Sequence, residues 1–308
     1  MIARYQRELS VAAAYAVLLG ALAVAAPTFF RDQFRASLVS AAPVLVMAVG
    51  MTLVILCRQI DISVGSQFSI CGVVAGLAAK AGLPMPAVAA VALAAGGLMG
   101  SVNGLFVAAL GLPSIVVTLA TMVTLREGLR WLREGEFVSD LPAGFYWFGV
   151  PQENGQRLIL GIALIVFLAF AWGLRYLAAG RAVYATGSDP EAARLAGIRP
   201  RAVTFGVFVL MGVLAGLAAL LNAVRFPQVD PNAGTGRELQ VIAAVVVGGT
   251  AISGGRGTLV GTLIGVALLG TIGPALVFLG AQPQWEKAIQ GAIILAAVAS
   301  DALNRRSR

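Results

Sequence analysis

Asp189-Pro190-Glu191-Ala192-Ala193-Arg194-Leu195-Ala196-Gly197-Ile198-Arg199-Pro200 is a polar island between long apolar segments, and its residues spell out a complete short helix. Asp189 suits the N-cap, because its carboxylate can accept from amides that a first helical turn leaves without partners. Pro190 fits the first helical position, where no donor is needed, and Gly197 can take the left-handed conformation that ends a helix. Glu191 lies near the positive end of the helix dipole, Arg194 lies further along, and Pro200 opposes continuation. Ala192, Leu195 and Ala196 are spaced i, i+3, i+4, which gathers them on one small apolar face. A plain connection needs no such face; a helix that lies in a groove on a partner does.

Outward from this island the chain is apolar. It has 308 residues, 59% hydrophobic and 12% charged, with a mean hydropathy of +0.89, whereas roughly a quarter of a soluble protein is charged. Apolar runs of about 20 residues, enough to cross a bilayer, recur from end to end. The pattern predicts an all-α polytopic membrane protein with about ten spans, at 9–30, 38–57, 63–80, 86–110, 114–132, 157–178, 203–224, 237–253, 258–279 and 286–303. One domain, residues 1–308, is expected, with a cytoplasmic loop at about 179–202 that carries the island. Arg4 and Arg7 precede the first run as they would in a signal peptide, but the run is long and more spans follow, so it is expected to be the first span.

An even number of spans puts both termini on one side. Arg4 and Arg7 at one end and Arg305, Arg306 and Arg308 at the other assign that side to the cytoplasm. The same alternation puts the island inside, among Arg175, Arg181, Arg194, Arg199 and Arg201. Arg31, Arg35, Arg126, Arg130 and Arg133 fall near the outer side and run against the rule, accompanied by Asp32, Glu127, Glu134, Glu136 and Asp140.

Several functions are excluded. The net charge of +8 is scattered among spans and loops rather than gathered in a stripe, which argues against nucleic acid. Cys57 and Cys71 have no CxxC partner and read as packing residues. The chain has no histidine, which removes the Ser-His-Asp triad and the HExxH zinc site, so neither catalytic residues nor a metal site are expected. Gly248-Gly249-Thr250 and Ser253-Gly254-Gly255-Arg256-Gly257 lack the GxxxxGK[ST] lysine that meets nucleotide phosphates. ATP-driven work would need a separate polypeptide.

What remains is a set of polar residues at membrane depth and many glycines. Asp61 and Ser63, between two apolar runs, can cap the following helix or serve in gating or solute passage. Asn103, Thr118, Thr121, Thr124 and Asn222 can bond to one another and to helix backbones, or line a path for a neutral hydroxylated solute. Gly97 and Ser101, Gly100 and Gly104, Gly257 and Gly261, and Gly261 and Gly265 stand four apart, a spacing that lets helices approach closely in lipid. Phe145, Tyr146, Trp147 and Phe148 read as an interfacial aromatic belt, or as a seat for an external protein, with 226–236 as a second such surface.

These features resemble a known family. Gln59-Ile60-Asp61-Ile62-Ser63-Val64-Gly65-Ser66 is similar to a signature of ribose-type ABC importer permeases. Glu191-Ala192-Ala193 followed by Gly197 resembles the EAA-x3-G cytoplasmic loop of such permeases, and Glu238 to Gly257, with its VVVGGTAISGGRG core, resembles their glycine-rich C-terminal signature. The resemblance implies a ten-helix transport subunit, not an enzyme, that pairs with a second copy or a sibling permease. It would receive cargo from a periplasmic sugar-binding protein and be driven by cytoplasmic ABC ATPases, which hold the ATP and magnesium; this chain would hold no cofactor. Asp189, Glu191, Ala192, Ala193, Arg194, Leu195 and Gly197 would form the coupling surface, and Asp61, Ser63, Asn103, Thr118, Thr121 and Asn222 the pathway or gate. The overall wording is most similar to rhamnose permeases, with autoinducer-2 permeases next. The rival reading is an ion-coupled secondary transporter of a small polar solute.

Overall fold

A computed structural model describes residues 2–280, with side chains from residue 8 onward, and scattered positions between 282 and 295. The described chain is helical: α1 (Ile2–Ala25), α2 (Thr28–Asp32), α3 (Phe34–Leu56), α4 (Val64–Lys80), α5 (Met85–Gly104), α6 (Ser114–Arg133), α7 (Gln152–Tyr176), α8 (Ala178–Ser188), α9 (Pro190–Leu195), α10 (Pro200–Ala223), α11 (Arg237–Val247) and α12 (Leu259–Phe278). Among the described residues six helices are long and apolar enough to cross a membrane: α1, α3, α5 with its π-helical extension to Ala109, α7, α10 and α12. The apolar α4 is shorter, at 17 residues.

Each expected span up to 279 contains a helix, while 286–303 lies outside the described residues apart from a few positions. The segment 237–253 differs from expectation. Its helix has 11 residues, about 16 Å at the helical rise and so only half a bilayer. Gly248 and Gly249 end it, Gly249 at φ +94°. A Cβ on Gly248 would meet the carbonyl of Gly261 on α12.

The bundle is built around α3, 83% of whose span is buried, with α10 beside it; α1 lies outermost, 6% buried. Lipid is as apolar as leucine, so helices associate in it by close packing and hydrogen bonds rather than by hydrophobic exclusion. The α5–α10 seam shows how. A Cβ on Gly96 or Gly212 would land on the other's carbonyl, one on Gly100 on the carbonyl of Phe208, and one on Gly216 on that of Ala92. Of the positions expected on α5, Gly100 and Gly104 line this seam, Gly100 against Phe208 and Gly212 and Gly104 against Phe205 and Phe208, while Gly97 meets the Val213 side chain. Gly206, on the same α10, faces open space. Gly212→Ala is therefore expected to cost on the order of 1–3 kcal/mol by overpacking, whereas Gly206→Ala should be neutral or slightly stabilising. Thermal unfolding of the two variants in detergent checks the contrast.

Glu8 ties α1 on by accepting from the Thr258 hydroxyl at 2.5 Å, and the same hydroxyl caps α12 by accepting from Gly261 N at 3.1 Å. The aromatic cluster differs from a plain belt. Phe145 and Trp147 are buried, Trp147 N donates to Val224 O at 2.7 Å, and a Cβ on Gly155 would press on the indole. Tyr146 alone of the four is well exposed. A backbone bridge joins Val138 to Val229, so this segment seals the end of α10.

Candidate functional site

The island folds as its residues dictate. Asp189 Oδ1 accepts from Glu191 N at 2.9 Å and Ala192 N at 3.1 Å, and Pro190 opens α9. Gly197 takes φ +82° and Ile198 N returns to Ala193 O at 3.0 Å, closing the C-terminus. Arg194 pairs with Glu191 at 3.0 Å on the exposed side. Ala193 alone of the six α9 residues is buried; Leu195 is 83% exposed, and Ala192 and Ala196 are exposed beside it. The helix thus presents its apolar face outward, with nothing among the described residues to cover it.

Beneath α9, the end of α8 is wedged between two turns. A Cβ on Gly187 would land on the Leu56 carbonyl, and Gly255 N donates to that same carbonyl at 2.9 Å. Tyr184 Oη donates to Gly257 O at 2.8 Å. The glycine-rich stretch that lacks a phosphate-binding lysine is therefore a seat for the α8–α9 corner.

The α3–α4 turn leads inward to a polar knot. Asp61 Oδ1 accepts from Ser63 N at 2.9 Å and Ser63 Oγ at 2.6 Å, and Asp61 Oδ2 accepts from Gln67 Nε2 at 3.1 Å. Ser63 Oγ in turn accepts from Gln67 Nε2 at 2.7 Å and Asn103 Nδ2 at 2.8 Å. All four residues are buried, and burial pushes the Asp61 carboxyl above its ordinary range, against the hydrogen bonds from Ser63, Gln67 and Asn103 that pull it down. Gln67 Oε1 and Asn103 Oδ1 are buried without a partner. Ser63 sits at the N-cap position of α4 but makes no side-chain cap bond, so the knot, not capping, occupies its hydroxyl. Alongside, Ile60 N donates to Ser114 Oγ at 3.2 Å, and Thr118 Oγ1 donates to Ser114 O at 2.8 Å with Ile60 O at 3.3 Å.

The structure thus gathers Asp61, Ser63 and Asn103, sets Thr118 next to them, and separates the other two candidates. Thr121 bonds the carbonyls of its own helix. Asn222 lies at the far end of α10, where it lines a cavity of about 470 Å³ with Ser40, Phe68, Arg225, Asp230 and Arg237. Arg225 donates to Ser40 Oγ at 2.7 Å and lies over the Phe226 ring, and Arg237 lies over Phe68. Burial, and then the Arg237 charge, lower the Arg225 guanidinium to about 10. Because α9 leads into the start of α10 and the cavity gathers at its end, the two lie at opposite ends of that span. The knot lies between, with Gln67 in the knot and Phe68 and Ser69 in the cavity wall on consecutive positions of α4.

Sequence reasoning missed Gln67, Arg225 and Arg237. Gln67 was detectable, since it stands one turn after Ser63 and shares its face; the arginines carry no local signal.

Residues 34–298 match the family model described as branched-chain amino acid transport system / permease component. The chain is 38% identical over 295 residues to the ribose import permease protein RbsC of Escherichia coli (strain K12), covering 92% of this chain and 90% of that one. It is 34% identical over 296 residues to the autoinducer 2 import system permease protein LsrC of Yersinia pseudotuberculosis serotype O:1b (strain IP 31758), covering 96% and 84%. Against LsrC of Photorhabdus luminescens the identity is 33%, covering 96% and 89%. No solved structure matches the chain. With the family model spanning most of an all-helical chain, and the likeness to named permeases running almost end to end, this protein belongs to the branched-chain amino acid transport system / permease component family and is a multi-pass membrane permease subunit, not an enzyme.

Proposed function

We propose that this chain is the transmembrane subunit of a bacterial ATP-binding-cassette importer that moves a monosaccharide, or a closely related small neutral solute, across the inner membrane by alternating access. The observation that carries the reading is the capped α9 with its uncovered apolar face, Ala192, Leu195 and Ala196, at the opposite end of α10 from a cavity. In this reading α9 docks on a cytoplasmic ATPase, which holds the ATP and magnesium, and both termini are cytoplasmic. The cavity faces the periplasm, where a sugar-binding protein delivers cargo, and a second permease copy or a sibling completes the pathway. Residues 1–308 act as one domain with its coupling loop at about 179–202.

The cavity chemistry suits a sugar. Phe68 and Phe226 offer flat apolar faces, and Asn222, Ser40 and Asp230 offer donors and acceptors for hydroxyls. Two guanidiniums crowd it, which disfavours a cation as cargo or coupling ion. The fully buried knot of Asp61, Ser63, Gln67 and Asn103 acts as the gate on the α9 side. The relatives' names mention ribose and autoinducer 2; rhamnose, which the wording of the sequence favours, is a third candidate within the same chemical class. Binding of each sugar to the secreted partner, measured by calorimetry, selects among them.

Uptake in cells is expected to stop on ATP depletion and to persist when an ionophore collapses ion gradients. The reverse pattern would establish ion coupling instead. Asn222→Leu is expected to lower uptake about tenfold, the equivalent of one hydrogen bond to the solute, with sugar affinity of the binding protein unchanged. Uptake at the wild-type rate would remove Asn222 from the pathway.

A further inference from the structure

We propose that Arg58 is the positioning residue that links the docking helix to the buried knot, so that a push on α9 reaches Asp61 as a displacement of the α3–α4 turn. This rests on the proposed function, since only an ATPase at α9 supplies the push.

The geometry is specific. After α3 ends at Leu56 the chain turns with Arg58 at φ +62°, a left-handed backbone that a residue with a Cβ adopts only under strain. That turn aims the guanidinium at the last carbonyls of α8: Nε donates to Gly187 O at 2.5 Å, and Nη2 donates to Ser188 O. Those carbonyls have no partner inside their own helix and form the negative end of its dipole, where a cation is favoured. Ser188 directly precedes Asp189, the N-cap of α9. Arg58 therefore grips the α8–α9 corner at its joint.

The opposite wall of the grip is the glycine-rich turn. A Cβ on Gly254 would strike the Arg58 side chain, and one on Gly255 would strike Ser188. Side chains there would push the guanidinium off its carbonyls, which accounts for glycine at both positions. Three residues beyond Arg58, Asp61 binds Ser63 and Gln67, and Ser63 binds Asn103 at the end of α5. A stiff path thus runs from α9 through Ser188 and Gly187 to Arg58, then along Gln59 and Ile60 to Asp61, α4 and α5. α9 itself buries only Ala193, so it has little other side-chain purchase on the bundle. Arginine suits the task better than lysine because its planar fork spans two carbonyls at once, fixing orientation as well as distance.

The test uses the assembled importer in proteoliposomes, with its ATPase and binding protein, and measures sugar imported per ATP hydrolysed. Arg58→Gln is expected to retain the ATPase and its hydrolysis rate while import per ATP falls at least about fivefold, the low end of typical coupling between sites. Arg58→Lys, which keeps the charge and loses the fork, should fall between wild type and Arg58→Gln. If Arg58→Gln does not assemble, Arg58→Lys carries the test, with reduced import per ATP at normal hydrolysis as the expected result. Import per ATP equal to wild type overturns the proposal, and so does a parallel loss of hydrolysis and import at constant ratio, which would make Arg58 a stability residue only. Failure of the wild-type chain to couple any hydrolysis to import would refute the proposed function itself.

Discussion

Leu195→Asp is expected to abolish association with the ATPase and sugar uptake while leaving the permease folded. The side chain is 83% exposed and touches little of this chain, so its loss should change the stability of the isolated subunit by no more than about 0.5 kcal/mol. In a docked complex the same leucine would be buried, and burial of a leucine contributes about 1.5–3 kcal/mol. A carboxylate in its place forfeits that and adds a desolvation penalty, so the affinity should drop by roughly 100-fold or more. Arg194→Ala is the internal comparison. It breaks an exposed pair with Glu191, which is worth about 0–1 kcal/mol, and the apolar face survives. Co-purification of the ATPase with each variant reads the difference directly; an ATPase retained by Leu195→Asp would disqualify this face as the docking surface.

The second large effect is expected at Asp61. Asp61→Leu removes the acceptor for Ser63 N, Ser63 Oγ and Gln67 Nε2 in a site closed to water. Each donor left buried without a partner costs about 1–3 kcal/mol, which together is a large share of the 5–15 kcal/mol that stabilises a typical protein. Loss of folded permease from the membrane is the expected outcome, seen as a collapse of yield and of the thermal transition in detergent. Asp61→Asn keeps the shape and one acceptor, but its amide nitrogen replaces the other oxygen and faces either the Ser63 donors or Gln67 Nε2, which themselves donate to Asp61. It should fold with lowered stability and import poorly. Uptake by Asp61→Leu at the wild-type rate would show that the knot is dispensable.

How far the sequence carried depended on the range of the interactions. α9 was legible to the residue because its determinants, Asp189, Pro190 and Gly197, lie within nine positions of one another and act through backbone bonds a few residues long. The 237–253 run was legible as apolar and helical but not as short. Its hydrophobic period gives no sign that Gly248 must stop to let Gly261 of α12 approach. Phe145 and Trp147 read as a belt because aromatic composition is the same in a belt and in a plug. What separates the two is Gly155, whose missing side chain makes room for the indole.

The sequence by itself determined that this is a helical membrane protein without histidine chemistry, carrying one self-capped helix with a small apolar face, since composition and local hydrogen bonding suffice for each of those. Only the tertiary structure decided that Asp61, Ser63, Gln67 and Asn103 meet in a closed knot, that Asn222 belongs to a cavity at the other end, and that Arg58 holds the α8–α9 corner. Those contacts join residues up to 185 positions apart, and they follow from which helix backbones the glycines allow to touch, a choice the whole bundle makes at once.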